Sequence, residues 1–156
     1  MKSSLTAIDH EWSTTMHDHT SIHSDDDAAT RPVVEVVSSH DAPPMPASAE
    51  IMTIRVTLPP GSAGTPPHRH SGPAFGYVIR GEMRFELEGE PERVIAAGGS
   101  FWEPGGDVIH YQDANNSVDT ETEFVVMMFG LPGEPMLTVV DADELEARKP
   151  RRAPRP

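Results

Sequence analysis

The chain has 156 residues, which suffices for one compact domain but not comfortably for two. It contains no cysteine, so disulfides and thiolate metal sites are excluded, and any metal must use histidine, carboxylate or water. The segment 148–155 holds five of the twelve Lys and Arg residues, which leaves seven against all 25 acidic residues before it, a net charge of −18. Such an acidic body should repel nucleic acid and anionic membranes, so we expect neither as a partner.

No run of about 18 apolar residues is present, so the sequence predicts no membrane-spanning helix. Residues 1–6 lack the apolar stretch of a secretory signal. We therefore expect a cytoplasmic protein.

Three regions follow one another along the chain. Residues 1–31 are rich in Ser, Thr, Asp and His and poor in periodic apolar positions, which predicts a disordered arm. Residues 32–141 alternate short apolar runs with Gly/Pro turns and are predicted to form the domain. Residues 142–156 are predicted to form a short helix and a solvated basic Pro/Arg tail.

The domain is predicted to be all-β, because its apolar runs are short and rich in β-branched residues. The predicted strands are 33–38, 50–58, 75–80, 83–87, 93–96, 100–102, 107–110, 122–129 and 136–140. The predicted helix is 142–148. Many short strands at this spacing favour an antiparallel sandwich or barrel.

Two strands show which side chains face inward. Strict alternation over 83–87 places Met83, Phe85 and Leu87 in the core. The stretch 124–129 is apolar on both faces, which suits a strand covered on both sides and favours a homodimer.

Three histidines suggest a metal site. His68 and His70 are two residues apart, so in an extended strand both imidazoles point to the same side. His110 follows a Pro-Gly-Gly turn and can close the site from a neighbouring strand. Neutral imidazole binds Zn, Fe, Cu and Ni. His17 and His19 repeat the spacing in the predicted arm, but no β-rich sequence frames them.

Two stretches resemble the motifs of a known family. Residues 64–82 resemble the first cupin motif, a glycine followed by a His-x-His pair and a later glycine, and residues 98–115 resemble the second. The resemblance covers about 45–140. It implies a single-domain cupin, an antiparallel β-barrel of jelly-roll type, with one divalent metal on His68, His70 and His110 and a homodimeric assembly.

The chain departs from the first motif at its metal-binding glutamate. That position falls on Ala74, with Phe75 as the neighbouring alternative, and neither side chain can bind a metal. The expected centre is therefore a three-His site, in which the ion keeps its full charge and up to three open positions.

Other residues are candidates for the chemistry. Gln112 shares strand parity with His110. It is therefore the first candidate either to hydrogen-bond to a metal ligand or to occupy a fourth position at the metal. Glu103 and Tyr77 are further catalytic candidates. The residues expected to form the pocket wall are apolar and mostly aromatic: Phe75, Phe85, Trp102, Met127 and Phe129.

Three functions remain open. The first is a mononuclear Fe²⁺ oxygenase of a small organic substrate that chelates through oxygen. The second is a non-redox Zn²⁺ or Ni²⁺ cyclase or isomerase of polyketide type, with Glu103 or a metal-bound hydroxide as the general base. The third is a non-catalytic cupin that binds a small molecule. Fe²⁺ is the favoured metal, and Zn²⁺, Ni²⁺ or Mn²⁺ are the alternatives.

Overall fold

The computed structural model describes residues 34–41 and 43–154. The predicted arm, including His17 and His19, lies outside these residues. The described elements are nine strands, a short α-helix and a 3₁₀ helix: β1 Glu50–Leu58, β2 His68–Arg69, β3 Ala74–Arg80, β4 Glu82–Leu87, β5 Arg93–Ala96, β6 Ser100–Glu103, β7 His110–Asn115, β8 Thr122–Gly130, β9 Thr138–Val139, α1 Ala142–Arg148 and the 3₁₀ helix Lys149–Arg151.

The strands form two antiparallel sheets, as the all-β prediction requires. The first sheet has the order β1-β8-β3-β6 and the second β5-β4-β7-β2-β9. The core lies between them and includes Met83, Phe85 and Leu87, whose inward placement is confirmed. From the first sheet, Val78, Phe101 and Phe124 pack against them. The fold is therefore a jelly roll in which the inner faces of both sheets can reach one central space.

Three strand predictions need correction. Residues 34–38 form no strand, and Val36 stays 79% exposed because no described strand pairs with it. The strand predicted at 107–110 begins at His110 instead and runs to Asn115. Gly105 and Gly106, with φ values of 74° and 64°, open a turn in which the Val108 N–H points to the Gly105 carbonyl, so extended backbone starts only after it. The strand predicted at 136–140 is confined to β9.

Part of the C-terminal segment packs onto the domain, whereas Lys149, Pro150 and Arg151 of the predicted basic tail are exposed. Helix α1 begins after Asp141, whose Oδ1 accepts a 2.8 Å hydrogen bond from the Glu144 backbone N–H. Leu145 then packs on Ile109, Tyr111 and Val140 at the outer face of the second sheet.

Arginines of this segment pair with acidic residues of β4 and its following turn. Arg152 donates to Glu86 Oε2 at 2.6 Å, and Arg148 donates to Glu88 Oε2 at 3.0 Å. No helix among the described residues is long and apolar enough to cross a bilayer.

Candidate metal centre

The three histidines meet because β2 is sandwiched between β7 and β9. In the register of β2 and β7, His68 lies directly opposite His110. The ring centroid of His68 lies 4.9 Å from that of His70 and 4.9 Å from that of His110. All three histidines are buried. The His-x-His pair and the third histidine therefore converge as the motifs predicted.

A carboxylate joins them from a strand of the other sheet. Glu103 is the last residue of β6, and its Oε2 lies 3.3 Å from His70 Nε2 and 3.2 Å from His110 Nδ1. One donor atom from each of the four side chains lies within 4.8 Å of the others. The four donors together form a site that can hold a metal ion.

The backbone conformation of a nearby glycine helps to place Glu103 in this position. Gly105, two residues further on, has a φ of 74°, and a Cβ built there would lie 2.0 Å from the Gly72 carbonyl oxygen. Only glycine allows the two loops to approach so closely. The adjacent Gly106 N–H donates a 2.8 Å hydrogen bond to the His70 carbonyl. The two motifs are thereby joined behind the site.

Backbone carbonyls orient each imidazole. His68 Nδ1 donates to the Pro66 carbonyl at 2.9 Å, His70 Nδ1 to the Met136 carbonyl at 2.9 Å, and His110 Nε2 to the Gln112 carbonyl at 2.8 Å. A carbonyl can only accept, so each of these nitrogens carries the proton in the neutral ring. The opposite nitrogen of each ring is then free to bind a metal.

The contacts of His110 Nδ1 fit an ion that lies between the donor atoms. His110 Nδ1 is buried and forms no aligned hydrogen bond, although Glu103 Oε2 is only 3.2 Å away. Two donor atoms that are close but not aligned with each other suit a common third partner. Imidazole nitrogens and one carboxylate oxygen are also the donor types that Fe²⁺ accepts in proteins.

The electrostatics of the site favour a positive charge at its centre. Burial acts to raise the pKa of Glu103, but His110 and His70 outweigh it and hold that pKa far below its usual value. Burial acts to lower the pKa of His70 and His110, yet Glu103 raises both above 6.5. Burial, reinforced by His110, lowers the pKa of His68. A divalent cation would replace the protons that Glu103 otherwise attracts.

The centre is therefore not the carboxylate-free three-His site that Ala74 suggested. Ala74 lies on β3 directly opposite Glu103 on β6 in the antiparallel register, so both side chains face the same space. The carboxylate comes from the neighbouring strand and would offset one unit of the charge of a bound metal ion. Glu103, expected as a catalytic candidate, is placed among the donor atoms.

Gln112 does not present its side chain to the site. The pairing of β4 and β7 shifts between Glu86 and Leu87, which leaves Tyr111 as the extra residue of a bulge. The bulge reverses the parity that the prediction assumed. Gln112 contributes only its backbone carbonyl, and Asp113 takes the inward position and lines the cavity.

Asp113 is a cavity-lining carboxylate that the sequence did not reveal. It is buried, and its carboxylate accepts from the Thr65 backbone N–H at 2.5 Å and from Thr65 Oγ1 at 2.8 Å. The contact fixes the loop that leads into His68. The inward position of Asp113 follows from the bulge, and no local residue pattern predicts that bulge.

Tyr77 lies on the outer face of the first sheet, is 38% exposed and does not line the cavity. The expected pocket wall was also wrong. Phe85 is in the core, with its ring 4.6 Å from that of His110, and Trp102 stacks on His40 at 4.9 Å. Phe75, Met127 and Phe129 have the outward parity of the first sheet.

The cavity in front of the donors has a volume of about 220 Å³. Its polar lining consists of the four donor residues with Thr65 and Asp113. Its apolar lining comes mainly from the inner face of the first sheet, through side chains that include Met52, Ile54, Phe101, Phe124, Val126 and Met128. The metal centre is thus the polar floor of an otherwise apolar chamber.

Comparison with known proteins agrees with this architecture. Residues 54–129 match the family described as the cupin domain, so the described domain belongs to the cupin family. No curated protein matches the chain.

Solved structures similar to the chain include two of oxalate oxidase. One is 31% identical, with a TM-score of 0.48, and the match covers 58% of this chain and 46% of the other. The second, in complex with the substrate analogue glycolate, is 27% identical, with a TM-score of 0.49 and coverage of 64% and 56%. The chain thus spans about half the length of these enzymes. A cupin-like protein from Thermotoga maritima is 21% identical, with a TM-score of 0.47 and coverage of 65% and 73%.

Proposed function

We propose that this chain is a metal-dependent enzyme, a mononuclear Fe²⁺ oxygenase acting on a small organic substrate that chelates the metal through oxygen. The observation that carries the proposal is the cluster of His68, His70, Glu103 and His110, with donor atoms within 4.8 Å of one another. The cluster is buried and opens on a cavity, which is the arrangement that a catalytic metal requires.

The number of donors favours iron over zinc. Catalytic zinc sites use three protein ligands and keep the fourth position open, whereas four protein ligands close a tetrahedral zinc site. A six-coordinate ion on the same four donors keeps two positions for other ligands. The Glu103 carboxylate therefore argues against the Zn²⁺ enzyme that a three-His site would have allowed.

Bound Fe²⁺ would supply Lewis acidity and one-electron chemistry at this centre. The chain's own residues orient and protect the site. The carbonyls of Pro66, Met136 and Gln112 hold the three rings in place. The apolar side chains of the first sheet keep bulk water away from the reacting groups.

A second candidate is a non-redox cyclase or isomerase, and the position of Asp113 favours it. Glu103 cannot act as a free base while it binds the metal, but Asp113 lines the same cavity and is a carboxylate outside the donor set. Its oxygens accept hydrogen bonds from Thr65, and a carboxylate retains further acceptor positions. Asp113 could thus take a proton from a substrate polarised by the metal.

Metal analysis and O₂ uptake test the proposal. The untagged protein is expected to retain about one Fe²⁺ per chain and to consume O₂ only with substrate, screened as a panel of small oxo and hydroxy acids. His70→Ala should lose the metal, and His40→Ala, which changes an exposed histidine, should retain it. Stoichiometric metal without O₂ uptake but with turnover would support the second candidate. Absence of any bound metal in the wild type would overturn both.

A further inference from the structure

The charges that line the cavity limit which ligands it can accept. No Lys or Arg belongs to the lining within the described part of the chain. Three neutral histidines, Glu103 and a divalent ion leave one net positive charge at the floor of the chamber. One anionic group of a ligand therefore finds a partner there, at the metal.

A second anionic group would find none. The remaining charged residue of the lining is Asp113, which is itself a carboxylate and lies 6% exposed. Burying an ionised group without a partner is strongly unfavourable. The site therefore selects against dianions by repulsion and by desolvation.

The rest of the lining favours an apolar substituent. Nine lining side chains are apolar, and three of them are the methionines Met52, Met128 and Met136. Methionine side chains are flexible and polarizable, so they adapt to aliphatic and aromatic groups of different shape. A ligand that binds the metal at one end would place its other end against these side chains.

The size and opening of the cavity set the length of that substituent. The volume of about 220 Å³ lies below the range of about 300–1,000 Å³ that is typical of pockets for drug-sized ligands. Met52, Ile54 and Leu137 line the cavity and are 43%, 37% and 37% exposed, so they mark its mouth. A short chain or a single ring can fill this space and point towards the mouth.

We propose that the substrate class is a small monoanion with an oxygen-chelating head and an apolar tail, such as a 2-oxo or 2-hydroxy monocarboxylate, and not a dicarboxylate. This inference rests on the proposed metal site. It also separates the chain from the oxalate oxidases to which it is similar, since oxalate carries two carboxylates.

Three 2-oxo acids with the same chelating head, together with oxalate, test the proposal. Pyruvate has no tail, 2-oxopentanoate adds two methylene groups, and 2-oxoglutarate replaces the terminal methyl of 2-oxopentanoate by a carboxylate. Each is titrated calorimetrically into the wild-type protein loaded with Fe²⁺ in the absence of O₂. We expect 2-oxopentanoate to bind about tenfold tighter than pyruvate, from burial of the two methylenes. We expect 2-oxoglutarate and oxalate to bind at least about tenfold weaker than 2-oxopentanoate.

The metal content is measured before each titration, which separates the two proposals. A protein that binds no metal overturns the proposed function and this inference with it. A fully loaded protein that prefers 2-oxoglutarate or oxalate, or that binds none of the probes, overturns the substrate class and leaves the metal site intact.

A pair of variants tests the charge argument directly. Ile54→Arg places a cation at the mouth, so we expect it to tighten 2-oxoglutarate about tenfold and to weaken 2-oxopentanoate. Val94→Arg makes the same kind of change on β5, where Val94 is 52% exposed and outside the cavity lining, and should alter neither affinity. Equal effects of both variants would contradict the assignment.

Discussion

The side chain of Glu103 supplies the carboxylate of the donor cluster, and its position on β6 can be tested by moving it. Glu103→Ala removes one ligand and should weaken metal binding by at least about 100-fold. Because Ala74 lies opposite Glu103 in the register, the double change Ala74→Glu with Glu103→Ala should restore most of the affinity. Metal content after gel filtration, with a competing chelator, measures both.

Glu90→Ala is the matched control, because Glu90 is exposed and lies outside the donor cluster. It should bind metal like the wild type. If the double variant folds, as judged by circular dichroism, but binds no more metal than Glu103→Ala, then residues 74 and 103 do not serve the same space.

The titration of the histidines predicts opposite pH trends for the metal-free and loaded proteins. In the metal-free protein the pKa values of His70 and His110 are raised above 6.5, so their contribution to stability is full below that pH and is lost as the pH rises through the raised values. His68 has a lowered pKa, so its contribution to stability is instead lost as the pH falls. The two histidines with raised pKa values outnumber it. Metal binding needs deprotonated rings, so it gains as the pH rises.

The difference in Tm between loaded and metal-free protein should therefore widen between about pH 6 and pH 8. Thermal unfolding followed by circular dichroism at several pH values measures it. A difference that does not change with pH would show that these histidines do not exchange protons for the ion.

Single residues show where sequence reasoning succeeded and where it failed. The spacing of His68 and His70 is a local property, and it correctly indicated that both rings share one side. The role of Glu103 depends on its register with Ala74, which lies 29 positions earlier in the chain and on another strand. No local pattern encodes that pairing, and the motif spacing alone assigns the carboxylate to position 74.

Elements show the same limit. β1, β5 and α1 have the predicted bounds, because alternation and turn residues mark them locally. The bulge at Tyr111 arises from the pairing of two strands, and it places Asp113 on the inward face where Gln112 was expected. β8 is apolar on both faces, so composition could not tell which face is inward.

The C-terminal segment stabilises the second sheet from outside, and Arg152 tests this role. Its partner Glu86 is 1% exposed, and removing one member of a buried ion pair is destabilising. Because Arg152 itself is 29% exposed, solvent moderates the effect, and we expect Arg152→Ala to lower the free energy of unfolding by about 2 kcal/mol. Urea denaturation measures the change.

Lys149→Ala provides the comparison within the same segment. Lys149 and its partner Glu146 are 71% and 75% exposed, and exposed pairs contribute little. This variant should unfold at the wild-type urea concentration. Equal destabilisation by the two variants would mean that the segment contributes through its helix alone and not through the Glu86 contact.

At the scale of the whole molecule, the outer face of the first sheet should join two copies of the chain. Ile51, Tyr77, Ile79 and Met127 expose apolar surface there, with Phe75 on the same face. Contiguous exposed apolar surface of this kind marks interaction sites. We expect the protein to elute with twice its chain mass of 17.0 kDa and Met127→Glu to elute as a monomer, as measured by light scattering.

Val94→Glu changes an exposed aliphatic residue on the other sheet and should leave the assembly intact. A wild-type monomer, or dissociation by Val94→Glu and not by Met127→Glu, would refute this assembly.

The pairing of β3 with β6 also has a consequence for how such proteins diverge. Ala74 and Glu103 lie opposite each other across one pair of strands. A lineage can therefore acquire a glutamate at position 103 before it loses one at position 74, and the imidazoles need not move. A sequence search that requires a glutamate shortly after the His-x-His pair would classify the descendants of that exchange as lacking a metal site. A survey written on cross-strand neighbours would keep them among the metalloproteins.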